Sequence, residues 1–196
     1  LQLSFDITEV AAGKEKVTIR FHQIEASHYF WMIDDIKLTE PNSHDLVMVR
    51  AWWDYALPPY TGEGVDTDID WTGGYTSIPI DQLQDFVGFR AAVKNFGLAT
   101  QTEAALNVKI YQEGNTTALF DQTGTSMSLA PGIQDTVALD ATFTIPGEGT
   151  YMVSSTVVSE NADEDMSNNG FEYKFEVTPN TYSRSYEPPY DSRVMT

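Results

Sequence analysis

The chain has 196 residues, with 29 acidic against 11 basic side chains, a net charge of −18, 12% aromatic residues and no cysteine. That length allows one large domain or one domain plus a fragment, and the aromatic content is that of a folded acidic protein rather than a disordered acidic tail. The charge opposes sequence-independent binding to nucleic acid or anionic lipid and attracts cations, and no apolar run approaches the ~20 residues that cross a bilayer, so neither nucleic-acid binding nor membrane insertion is expected.

Residues 1–40 read as strands. Leu1–Ile7 alternates, the run from Ala11 to Lys16 makes a polar turn, and Lys16–Ile24 alternates again through Val17, Ile19 and Phe21. A further strand runs from Tyr29 to Leu38. Three strands over about 40 residues cannot bury both faces of a sheet, since even ~60-residue domains are marginal, so their partners are expected upstream of Leu1 and the chain reads as an excerpt of a longer polypeptide. The string Trp31-Met-Ile33-Asp34-Asp35-Ile36, preceded by Val17–Phe21, resembles the closing strands of jelly-roll modules of the cleaved-adhesin or MAM-like kind in bacterial surface proteins. The resemblance implies a carbohydrate- or protein-binding jelly roll in which Asp34 and Asp35 correspond to positions that sometimes hold a structural calcium.

Glu40–Asp45 is a Pro and polar boundary between two strand patterns. Beyond it, the hydrophobic run from Asp45 to Tyr60 ends at Pro58-Pro59, which stops regular structure. Adjacent Trp52 and Trp53 on a strand point to opposite faces, so one of them packs outside the core, against a neighbouring module or as a sugar-stacking platform. In Thr61–Gly74, Asp66, Asp68 and Asp70 are spaced by two, as in the front half of a calcium loop; Trp71 stands where the glycine belongs and the terminal Glu is missing, so the full motif fails, and the three acids read either as ligands of a calcium ion or as a solvated acidic turn.

From Tyr75 onward, short runs are punctuated by turn residues. Phe89, Ala91 and Val93 supply one inward face, and Asn95-Phe-Gly97 a turn in which positive φ is tolerated. Leu106, Val108 and Ile110 supply another; then come Leu119-Phe120, Met127 with Leu129 before Pro131-Gly132, and Val137 with Leu139 leading to Phe143 and Ile145. No amphipathic helix interrupts them, which argues for an antiparallel sandwich. The clearest signal is Gly149–Val177. Tyr151, Val153, Ser155 and Val157 share one face of a first strand; Phe171, Tyr173, Phe175 and Val177 share one face of a second. Gly149-Thr-Tyr151-Met-Val153 resembles the tyrosine corner of immunoglobulin-like folds, with Val153 where antibody domains carry cysteine. Together with Tyr75–Gln82, Phe89–Gly97 and Asp163–Asn169, this pattern is similar to the CARDB group of Ig-like spacer domains in secreted bacterial surface proteins of Bacteroidetes type.

The expected fold class is all-β: closing strands of a jelly roll plus an immunoglobulin-like antiparallel β-sandwich. The expected division is 1–40 incomplete jelly roll, 41–44 hinge, 45–178 Ig-like sandwich and 179–196 a Pro-, Ser- and Tyr-rich linker. The loop Glu160–Asn169 between the last two strands offers Asp163, Asp165 and Asn168 as oxygen ligands for calcium; the same residues also set turns by accepting backbone amides.

Signs of catalysis are nearly absent. The three histidines, His22, His28 and His44, form no metal-binding helix pattern, and there is no Gly-x-Ser-x-Gly elbow, phosphate-binding loop or cysteine nucleophile. The expected role is a non-catalytic spacer in a secreted or cell-surface, outer-membrane-associated adhesin-like protein. Its partners would be neighbouring modules of the same polypeptide and a cell-surface protein or glycan. The alternatives are an accessory segment of a secreted protease or polysaccharide-degrading enzyme, and a sugar-binding module using Trp31, Trp52, Trp53 or Trp71. The latter requires at least two exposed, roughly coplanar rings.

Overall fold

A period-two run becomes a strand only where a neighbour takes up its backbone hydrogen bonds, and from residue 46 onward such neighbours exist. The computed structural model describes Phe5, residues 7–22, Ile33, Ile36, Leu38 and residues 40–55 and 76–183. Its strands are β1 (Leu46–Tyr55), β2 (Ser77–Pro79), β3 (Phe86–Asn95), β4 (Gln101–Gln112), β5 (Phe120–Thr123), β6 (Met127–Leu129), β7 (Gln134–Leu139), β8 (Gly149–Val158) and β9 (Gly170–Thr178). Among the described residues the helical elements are the single turn α1 (Thr8–Ala11) and a 3-10 turn at Met166–Asn168.

The strands form two facing sheets. The smaller has the order β1-β3-β7; the larger runs β2-β9-β8-β4-β5, with β6 attached to β4. Every pairing is antiparallel except that of β2 with β9, where Ser77, Ile78 and Pro79 lie parallel to Glu176, Val177 and Thr178. This is an immunoglobulin-like antiparallel β-sandwich, as the sequence pattern requires. The last hairpin pairs β8 with β9 from Gly149↔Val177 to Thr156↔Gly170.

The inward faces meet in one core. Phe89, Ala91 and Val93 of β3 and Leu106, Val108 and Ile110 of β4 are buried, as their alternation demands. Trp53 of β1 crosses between the sheets, its ring 5.0 Å from Tyr173 and 5.2 Å from Phe86. Phe86 in turn packs on Phe89, Phe143 and Phe175, so aromatic edges and faces tie the two layers together without a disulfide. Trp52 takes the opposite face of β1, half-buried beneath the Arg50 guanidinium, which lies 5.0 Å from the ring centroid.

The corner is present. The Tyr151 hydroxyl, on a fully buried side chain, donates to the Gly147 carbonyl at 2.8 Å, and Gly149 has φ 140. Val153 is buried two residues on, in the position the corner predicts. A second close approach lies at Gly124, where an added Cβ would sit 1.9 Å from the Ala138 carbonyl oxygen. That glycine lets the segment between β5 and β6 cross to the smaller sheet, where Thr125 bridges Ala138.

The N-terminal stretch departs from its expected strands. Residues 16–22 carry no ladder, and Val17, Ile19 and Phe21 are 42%, 51% and 51% exposed. Alternation supplies one apolar face to this segment, but among the described residues no neighbouring strand joins it, and the expectation placed its partners upstream of Leu1. Thr8–Ala11 turns helical just before Gly13, which occupies the left-handed region at φ 69 in the expected polar turn. The run Tyr29–Leu38 lies largely outside the described residues, as do Leu1–Ser4 and the tail from residue 184.

Gly124→Ala is expected to destabilise the chain by roughly 2 kcal/mol or more, because a backbone atom, not a movable side chain, occupies the space. Gly147→Ala, with open space around it, should be within about 0.5 kcal/mol of wild type or slightly stabilising. Urea unfolding of both variants makes the comparison. Tyr151→Phe should cost about 1 kcal/mol by the same measurement, through the lost corner hydrogen bond.

Candidate functional site

The chain enters the sandwich at Asn42–Leu46, and a buried strand start brings backbone groups that must be satisfied. On one side the turn after β3 does this. Phe96 and Gly97 donate to the Asp45 carbonyl at 2.8 and 3.1 Å, Leu98 to that of Asn42 at 3.0 Å and Ala99 to that of Ser43 at 2.9 Å. Gly97 is not in the left-handed region, contrary to expectation; its requirement is space, since a Cβ would lie 2.5 Å from the Ser43 carbonyl oxygen. Asn95, fully buried, fixes this turn by accepting from the Gly97 amide at 2.9 Å and donating to the Ala99 and Leu129 carbonyls at 2.8 Å each.

On the other side stands the acidic loop between β8 and β9. One Glu164 carboxylate oxygen accepts from the amides of Ser43 and His44 at 2.8 and 3.0 Å, while the Glu164 amide donates to the His44 carbonyl at 2.9 Å. Asp163 accepts from the Leu46 amide at 2.6 Å and from the Asp165 amide at 2.8 Å. Asp165 caps the 3-10 turn by accepting from the Ser167 amide at 3.1 Å. Asn168 and Asn42 donate to the two oxygens of Asp45 at 3.2 and 3.0 Å. Segment 41–44, expected as a hinge, is therefore gripped along both edges from Asn42 onward.

Two side chains extend the clamp inward. Gln101, buried at the start of β4, lies 3.1 Å from His44 Nδ1 through its Nε2 and accepts from the Ser159 hydroxyl. Thr102 donates to Glu160 at 2.6 Å. The β8–β9 loop is thus anchored to β4 as well as to the incoming chain.

The electrostatics follow from the crowding of acids. Burial pushes the Asp45 carboxyl above its ordinary value of 3.8; hydrogen bonds from Asn168 and Asn42 pull it back, and the charges of Asp163 and Asp165 push it further up. Elsewhere the acids behave in the opposite way. The hydrogen bond from Lys174 lowers Glu113, and that from Lys109 lowers Asp121, both on the solvent face of the larger sheet.

The structure thus brings Asp163, Asp165 and Asn168 together with Asp45, an acid the sequence did not single out. The Asn168 and Asn169 side-chain oxygens are buried with no hydrogen-bond partner among the described residues, and among those residues no group of three or more His, Cys, Asp or Glu is arranged as a metal site. Asp34, Asp35, Asp66, Asp68 and Asp70, with Trp31 and Trp71, lie outside the described residues. Asp45, Glu164, Asn95 and Gly97 were missed as a set. Each is an ordinary polar or turn residue in sequence, and only their convergence on residues 42–46 distinguishes them.

No family model and no curated protein matches this chain. Among solved structures it is similar to the CARDB domain of a Pyrococcus furiosus protein, crystallised in complex with di-metal ions, at 20% identity. That alignment covers 74% of this chain and 100% of that one, with a TM-score of 0.41. A solution structure of the same CARDB domain aligns at 22% identity over 55% of this chain and 90% of that one, with a TM-score of 0.37. At these scores the sheet topology above, not the likeness, carries the fold assignment.

Asp163→Ala leaves the amide of a buried strand residue without its acceptor and should cost about 1–3 kcal/mol, with the Leu46 amide exchanging faster by hydrogen-exchange mass spectrometry. The Asp45 carboxyl should titrate above 3.8 by NMR. A raised folded value means that ionised Asp45 costs the folded state, so its contribution to stability grows as pH falls from neutral through that midpoint. Glu113 and Asp121, being lowered, contribute stability above their unfolded values that is lost as pH falls through the folded ones.

Proposed function

We propose that this chain is a non-catalytic spacer module of a multi-module extracellular or cell-surface polypeptide, setting the separation and direction of what precedes and follows it. The observation that carries this reading is the placement of the start of β1 and the end of β9. β1 and β9 both begin at the pole formed by the β8–β9 loop and the turn after β3, and both run to the opposite pole, where Gly147 and β2 lie. Chain arriving at residue 41 and chain leaving the end of β9 are therefore separated by the length of a strand, ~30 Å for nine or ten residues at roughly 3.3 Å each.

Chain is held at both poles. At the far one, the Ser183 carbonyl accepts from the Thr76 and Ser77 amides at 3.1 and 3.2 Å, and the Ser183 amide donates to the Ser77 carbonyl at 3.1 Å. Thr178 Oγ1 donates to the Thr181 carbonyl at 2.6 Å and accepts its amide at 2.9 Å. A spacer with loose ends would transmit no direction; one gripped at each end does.

Of the alternatives, sugar binding finds no pair of exposed, coplanar Trp rings among the described residues, since Trp53 lies in the core and Trp52 under Arg50. The accessory-segment reading, a spacer beside a hydrolase domain, uses the same geometry. Adhesin membership and surface localisation are proposed from the sequence resemblance alone.

The test is a distance. With no native cysteine, Pro41→Cys with Asn180→Cys takes two spin labels, and the expected separation is ~30–40 Å, a strand length plus the label arms. A narrow distribution supports a rigid spacer; a short or broad one overturns it. Thermal unfolding with EDTA and then millimolar calcium tests the ion proposed at Asp163, Asp165 and Asn168. A rise in Tm that disappears in Asp165→Ala supports calcium there, and an unchanged Tm leaves the hydrogen-bonded clamp alone.

A further inference from the structure

The direction of the first and last strands relative to the chain ends bears on a further function, which rests on the spacer reading. A spacer between tethered modules is loaded along the line joining its ends, and the response of a sheet depends on how that line meets its ladders. Force along the strands loads all hydrogen bonds of a ladder together; force across them opens one pair at a time.

Here tension meets both outer ladders lengthwise. Pulling at residue 41 draws β1 out from its own N-terminal end, along its axis. That motion must shear the antiparallel ladder with β3, which runs from Leu46↔Asn95 to Tyr55↔Phe86. Pulling beyond Thr178 draws β9 out from its C-terminal end, shearing both the ladder with β8, from Gly149↔Val177 to Thr156↔Gly170, and the parallel pairs with β2. Neither terminal strand can be peeled from the end at which it is pulled.

The contacts at the poles meet the load before the ladders do. Outward movement of residues 42–46 has to break the amide bonds to Glu164 and Asp163 together with the backbone bonds from Phe96, Gly97, Leu98 and Ala99. These grip one segment from the turn that joins β3 of the smaller sheet to β4 of the larger and from the β8–β9 loop of the larger sheet, so the load passes into both layers. At the other pole the chain turns back after Thr178, and Ser183 lies antiparallel to Ser77 with backbone bonds to Thr76 and Ser77, so tension arriving from beyond residue 183 has to break these bonds before it reaches β9.

We propose that this sandwich is a force-bearing module, built so that tension applied through its chain ends is resisted by shear of β1 against β3 and of β9 against β8 and β2. Such a device suits a polypeptide that holds two surfaces together, where the unfolding rate under load, not the equilibrium stability, sets its lifetime.

The experiment compares two pulling directions on the full chain by single-molecule force spectroscopy, again with introduced cysteines as the only attachment points. Pro41→Cys with Asn180→Cys applies the end-to-end load. Pro41→Cys with Lys94→Cys, at the end of β3, pulls β1 and β3 apart at the same pole, opening their ladder from Leu46↔Asn95 pair by pair. The expected result is an unfolding force several-fold higher end to end than across β1 and β3 at the same loading rate. Equal forces, or a lower force end to end, overturn the proposal. The label distance between residues 41 and 180 at rest keeps the two readings apart: a strand-length separation with equal forces leaves a spacer that bears no special load, whereas a short separation removes the spacer reading itself. Glu40→Cys in place of Pro41→Cys repeats the end-to-end measurement if the proline substitution alters folding, and the same force difference is expected.

Discussion

A chain entering a sandwich brings amides and carbonyls that no strand partner satisfies, and ahead of β1 two loops meet this constraint, the turn joining β3 of the smaller sheet to β4 of the larger and the β8–β9 loop of the larger sheet. The turn after β3 supplies backbone donors to the carbonyls of Asn42, Ser43 and Asp45. The β8–β9 loop supplies the carboxylates of Asp163 and Glu164 to the amides of Ser43, His44 and Leu46. Because ionised carboxylates make stronger hydrogen bonds to N–H groups than neutral acceptors do, this loop can hold an exposed segment that has no strand partner on that side. The position of β1, and with it Trp53 and the aromatic core, depends on this grip.

The acidity of the chain acquires a structural meaning at this pole. Acidic residues in a loop at net charge −18 suggest cations, and Asp163, Asp165 and Asn168 have the spacing of ligands. In the folded chain Asp163 and Asp165 spend lone pairs on amides, and Asn168 donates to Asp45. Burial, and then the charges of Asp163 and Asp165, push the Asp45 carboxyl upward, because gathering carboxylates at a partly buried joint burdens the folded state unless hydrogen-bond donors compensate. Asn42 and Asn168 are those donors.

On the outer faces, charge is arranged differently. Lys109 of β4 with Asp121 of the adjoining β5, and Lys174 of β9 with Glu113 just past the end of β4, are exposed pairs on the larger sheet, of the kind that adds little to stability. The smaller sheet carries Arg50 over Trp52 and Lys94 over Phe96, cations covering aromatic rings that alternation turned away from the core.

What was legible in the sequence is what depends on near neighbours along the chain. The period of two placed Phe89, Ala91 and Val93 and Leu106, Val108 and Ile110 in the core, and Gly149-Thr-Tyr151 announced a corner whose hydrogen bond closes over four residues. At Val17, Ile19 and Phe21 the same period is not matched by a ladder among the described residues, because alternation states which face a strand would bury and not where its partner strand lies. Gly97 was read for its φ and is needed for its missing Cβ, a fact set by Ser43 more than 50 residues earlier in the chain. Local patterning thus determined the sandwich class, most of its strands and its corner. The pairing order of the sheets, the parallel contact of β2 with β9, the clamp on residues 42–46 and the placing of the start of β1 and the end of β9 at opposite poles were decided only by tertiary structure, because each joins residues far apart in sequence that no local propensity can bring together.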